Sequence, residues 1–173
     1  MKRYIFIPLL FSFFFSASMS FAQSKIGYID SKRIIESMQE SRDAKSRLDK
    51  LVSDWQIDLT RQQDSLKSLK DDYDKKKLIL TEQLRTQMEN EIKALESSIT
   101  DFKVKKFGES GEYFLKQSEY MKPVQDRVFK AIETVAKREN FDYVIDRNSD
   151  ILLLYANEKF DLTDKVMREV EKY

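Results

Sequence analysis

Residues 48–81 read LDKLVSDWQIDLTRQQDSLKSLKDDYDKKKLILT, and two tracks of mostly apolar residues recur at sevens through them. Val52, Leu59, Leu66, Tyr73 and Leu80 form one track, and Leu48, Trp55, Gln62, Leu69 and Lys76 form the other. Their alternating offset of three and four is that of a heptad seam on a helix. Lys75, Lys76 and Lys77 close the segment, where cations favour a helix C-terminus, and Thr81-Glu82 supplies a cap and a first-turn acid. The helix is therefore expected to reverse near 78–81. A second stripe, Met88, Ile92, Leu95, Ile99 and Phe102, then follows in a different heptad phase. A hairpin of two antiparallel helices has such a phase break. A stutter in one continuous helix has it too, and residues 78–81 hold no Gly or Pro to separate the two readings.

Toward the C-terminus, Phe107-Gly108-Glu109-Ser110-Gly111-Glu112-Tyr113 places two glycines close together, each weakening a helix by about 1 kcal/mol relative to alanine. A kink is expected near 108–111, with Gly108 and Gly111 as candidate hinge residues and a fixed bend as the other reading. Pro123 is expected to open a new helix after a break, with Val124, Val128, Ile132 and Val135 along it. Residues 141–146 read as a strand, Arg147-Asn148-Ser149-Asp150 as a turn, and Ile151-Leu152-Leu153-Leu154-Tyr155 as a second strand, together a β-hairpin. A last helix follows Asp161, with Leu162, Val166 and Val170 on one face. At the other end, residues 25–30 alternate as a short strand, and Asp30-Ser31 caps a helix from Lys32.

The fold class is α+β: a small β-stranded oligomerisation body with a long antiparallel α-helical (coiled-coil) hairpin extension. Residues 23–39 give the body its first strand and helix, 40–120 form the arm, and 121–173 return to the body with a helix, the β-hairpin and a C-terminal helix. Three short strands cannot cover a run as apolar as 151–155 on both faces, and an exposed apolar edge aggregates. Association with other copies is the economical remedy, so Ile26, Tyr28, Ile151, Leu152, Leu153, Leu154 and Tyr155 are candidate oligomerisation residues.

Lys2 and Arg3, an apolar stretch over 4–15 and small residues ending in Ser20-Phe21-Ala22 read as a cleavable secretory signal peptide over 1–22. Its apolar part is shorter than the roughly 20 residues that span a bilayer. Without Lys2 and Arg3 the 31 basic residues fall to 29 against 30 acidic ones, which leaves no electrostatic case for nucleic acid. Histidine and cysteine are both 0, which removes the commonest general base, the strongest nucleophile and the usual zinc ligands. No glycine-rich phosphate loop is present, so an ATP cycle has no visible home. The cluster Asp71-Asp72-Asp74 stands beside three lysines and reads as a solvated helix face rather than a catalytic or metal site. No cofactor and no enzymatic activity are expected.

The N-terminal Lys25-Ile26-Gly27-Tyr28-Ile29-Asp30-Ser31, the charged central hairpin, and residues 141–146, 151–156 and 161–164 resemble, in that order and spacing, the Skp/OmpH family of periplasmic chaperones. The resemblance covers essentially the whole chain after the signal peptide. It implies a homotrimer whose short strands share one body, with helical arms around a cavity that holds unfolded outer-membrane proteins without ATP. A structural coiled-coil adaptor of the cell envelope is the alternative. Between 40 and 120 there are 16 Lys and Arg against 17 Asp and Glu, so the strongly positive arms of the best-known members do not carry over, and contact with membrane or lipopolysaccharide is left open. Phe107, Tyr113, Phe114 and Tyr120 are candidate client contacts, with packing of the arm as the competing role. Trp55 and Phe102 lie in register with the seams and are expected to pack.

Overall fold

The structure, a computed structural model, describes residues 24–173, so the signal-peptide reading of 1–22 lies outside the described residues. Strand β1 (Ile26–Ile29) leads into helix α1 (Ser31–Ser37), whose N-cap Asp30 accepts a hydrogen bond from the Arg33 amide. Helix α2 (Gln39–Lys76) follows after Met38, which is extended at φ −77 and ψ 134. No Gly or Pro marks that break. Arg42 Nη1 donates to Glu36 O and Ser37 O at 3.1 and 3.0 Å, satisfying carbonyls that the end of α1 leaves open.

The chain reverses after Lys76, and α3 (Glu82–Phe107) begins at Thr81, whose hydroxyl accepts from the Leu84 amide. Helix α4 (Glu112–Arg138) continues the return, and both α3 and α4 pack along α2. The pairs Tyr73–Glu89, Lys70–Glu96, Trp55–Phe107 and Glu40–Arg127 run antiparallel from tip to base, so the phase break in the sequence is a hairpin. At roughly 1.5 Å per residue, the 38 residues of α2 extend about 57 Å.

The break expected before Pro123 is absent, because Pro123 lies inside α4. Proline removes the hydrogen bond to the carbonyl four residues back, here that of exposed Glu119, where water can replace it. Val124, Val128, Ala131 and Val135, on the other side of the same helix, are buried and hold it continuous across the proline. The arm and the body therefore share one helix.

Strand β2 (Tyr143–Asp146) pairs parallel with β1, Ile26 opposite Tyr143 and Ile29 opposite Asp146. This corrects the expected β-hairpin: 151–155 forms no strand and pairs with nothing among the described residues. A two-stranded hairpin alone is marginal, and 151–155 is apolar on both sides, so β2 takes the central β1 as partner instead. The other edge of β1 bonds the chain entering helix α5 (Thr163–Val170): Leu162 N donates to Tyr28 O at 2.9 Å. Ile29, Ile34, Met38, Val124, Val128, Ala131, Val135, Leu162, Val166 and Val170 form the body core beneath this small sheet.

Candidate functional site

The arm changes character where α3 gives way to α4. Phe107 is the last residue of α3, Gly108 caps it, and Gly111 caps the start of α4. The rings of Trp55 and Phe107 meet edge to face at 5.7 Å between centroids. Lys106 Nζ lies 4.8 Å from the Trp55 ring and bonds the Glu112 carboxylate at 2.5 Å, so one ion pair spans the break and caps an aromatic cluster. Lys106 beside it holds the Glu112 carboxyl below the usual carboxylate range.

Gly108 and Gly111 have φ −63 and −72, which any residue adopts. What they require is closeness. A Cβ on Gly108 would stand 2.5 Å from Val104 O, and one on Gly111 would stand 2.9 Å from backbone atoms of Gly108 and Lys106.

Of the four candidate contact residues, Phe114 is 48% exposed, Phe107 is 37% exposed with its ring set against Trp55, and Tyr113 and Tyr120 are half-buried. The two tyrosines line a groove of about 270 Å³ between α2 and α4, with Ala44, Leu48 and Met121 as its apolar neighbours. Trp55 is buried and Phe102 half-buried in the arm. The sequence reading missed Ile57, Val104 and Leu115, which are exposed. Val104 and Leu115 flank the glycine break in sequence, and Ile57 lies two residues beyond Trp55, whose ring meets Phe107. Being apolar but off the seam was the signal that could have found them.

In the body, Ile26 and the whole of 151–155 are exposed or partly so, with Leu152 and Leu154 at 82% and 86%. Tyr28 is different: it is buried in its own chain, bridged to Asp161. At the end of the β1–β2 pair, Ser31 and Asn148 hold Asp146. Burial pushes the Asp146 carboxyl up, but hydrogen bonds from the Ser31 hydroxyl and from the Asn148 and Ser31 amides outweigh it and hold the group below its ordinary range. Among the described residues no cluster of metal-ligating side chains occurs, and Asp72 and Asp74 pair with Lys76 and Lys77.

The profile of the Outer membrane protein (OmpH-like) family matches residues 25–170, from the first residue before β1 to the last of α5. The chain belongs to the OmpH-like family. An uncharacterised protein of Aquifex aeolicus (strain VF5) is similar, 27% identical over 144 residues that cover 83% of this chain and 84% of that one. The fold is shared with the crystal structure of an OmpH-like protein from Caulobacter crescentus CB15. That likeness has a TM-score of 0.72 and 17% identity, over 87% of this chain and 86% of the other. For this OmpH-like chain, then, body and arm are one family unit, and no described helix is long and apolar enough to cross a membrane.

Proposed function

We propose that this OmpH-like chain is an ATP-independent holding chaperone of the periplasm that binds unfolded outer-membrane proteins between its arms and keeps them from aggregating. The observation that carries the reading is the arm itself: about 57 Å of charge-balanced helix, with Phe114, Ile57, Val104 and Leu115 exposed and Phe107 partly so around the glycine break. A compact chain of 100 residues has a radius of gyration of about 13 Å, so several such arms are long enough to enclose a client of that size. The exposed segment 151–155 supports assembly of copies through the body, and a homotrimer is the assembly the family resemblance favours. Export through the segment 1–22 would deliver the chain to the periplasm.

The test is aggregation of a β-barrel membrane protein on dilution from urea, followed by light scattering without nucleotide. Suppression at near-stoichiometric chaperone supports the reading. Scattering as high as in buffer overturns it, and binding to one folded envelope protein instead would favour the adaptor.

A further inference from the structure

The turn at the far end of the arm is built from the wrong residues for a turn. Turns are ordinarily made by Gly, Pro, Asn, Asp and Ser, for reasons of backbone geometry and local hydrogen bonding. Here Leu78, Ile79 and Leu80 follow Lys77 without any of these. The backbone closes the turn unaided: Ile79 N and Leu80 N both donate to Lys76 O, at 2.9 and 3.2 Å. Leu80 tucks partly against the arm, but Leu78 and Ile79 stand 90% and 83% exposed and contribute nothing to its packing.

We infer that Leu78 and Ile79 form a second contact site for unfolded polypeptide, working with the apolar belt at the glycine break. The inference rests on the holding-chaperone reading. Charge argues against an anionic lipid surface as the occupant, because Lys76, Lys77 and Arg85 are paired to Asp72, Asp74 and Glu82, and residues 71–85 hold four acids and four bases. Area argues against a second copy, since two aliphatic side chains fall far short of the roughly 1,200 Å² that a stable interface buries.

Distance favours an extended apolar segment. Along α2, from Trp55 at the belt to Lys76 at the turn is roughly 32 Å at about 1.5 Å per residue. A membrane β-strand of about 10 residues spans roughly 33 Å and shows an apolar side chain at every second position. One unfolded strand can therefore touch belt and turn of the same arm together. Each contact is weak, and holding one raises the effective concentration at the other.

The test compares the full mature protein with its Leu78→Ser/Ile79→Ser variant, using a urea-unfolded, fluorescently labelled β-barrel protein as probe. Circular dichroism should be unchanged, since both side chains stand in solvent. The variant should bind about tenfold more weakly, and a photo-crosslinker placed at 79 should capture the client. Equal affinity with capture only at a crosslinker placed at 114 overturns the inference and leaves the chaperone reading intact. Capture of another arm at 79, or co-flotation with phosphatidylcholine or phosphatidylglycerol vesicles that needs Leu78 and Ile79 while client affinity is unchanged, overturns it in favour of a second copy or a lipid. A wild type that binds no unfolded client at all fails the reading itself.

Discussion

At Gly27 an added Cβ would stand 2.8 Å from Leu162 Cδ1 and 3.0 Å from Phe141 Cδ1, where β1 meets the entry to α5. Gly27→Ala should therefore overpack the body and destabilise it by about 1–3 kcal/mol, read as a lower midpoint in urea with an unchanged slope. Equal stability would mean that Leu162 and Phe141 swing aside. Gly108 and Gly111 give the same kind of result for a different reason. Helix propensity alone says that alanine at both should stabilise the arm, but Val104 O and the Gly108 backbone occupy the Cβ positions. Each substitution should cost more than about 1 kcal/mol instead, and a rise in thermal stability would contradict this. The glycines were legible as a break in the sequence, because the weakening of a helix is a local property. Their closeness to neighbouring backbone was not, because it depends on how α3 and α4 meet. Asn140 was equally silent: its φ of 55 ends α4, with Phe141 N bonding Ala136 O at 2.9 Å, a helix stop in which Asn takes the place of glycine.

Between elements, ion pairs join the edge of the body outside its apolar core. Glu169, buried on α5, accepts from Lys172 and from Arg138 of α4, and Glu139 accepts from Lys165 of α5. Those cations hold both carboxyls below their ordinary range, as the hydrogen bonds to Asp146 do for it. A carboxyl lowered in the folded state stabilises fully above its unfolded pKa, since the unfolded chain then takes up protons first as the pH falls. Body stability should accordingly be level above about pH 5 and drop steadily below it, as Asp146, Glu139 and Glu169 titrate. Glu169→Gln should flatten part of that slope; an unaltered slope would mean that α5 docks by its apolar face alone. The heptad tracks made α2 and α3 readable because their spacing is local and repeats. The misread elements were those settled by distant partners. Pro123 is carried through its helix by the buried face of α4, and β2 pairs with β1 from the opposite end of the chain, not with 151–155.

For the whole molecule, the proposal of assembly rests on 151–155, which the described residues of its own chain leave exposed. In a single copy Leu152 and Leu154 stand in solvent, so Leu152→Asp/Leu154→Asp should leave helix content unchanged. In an assembly it would bury unpaired charge at a cost of several kcal/mol and release monomers. Sedimentation of the wild type as a folded monomer at micromolar concentration would contradict assembly. Client binding should also vary less than about threefold between low and physiological salt, because the arm's 16 basic and 17 acidic residues cancel. A tenfold loss would place the affinity in local basic patches such as Lys103, Lys105 and Lys106. The claim on which all of this depends is that the arms hold chains only while they are unfolded. Titration of one β-barrel protein in two states, freshly diluted from urea and already folded in detergent, measures it directly. The account predicts a saturable complex with the unfolded chain and none with the folded barrel; equal affinity for both, or no complex with the unfolded chain, would contradict it.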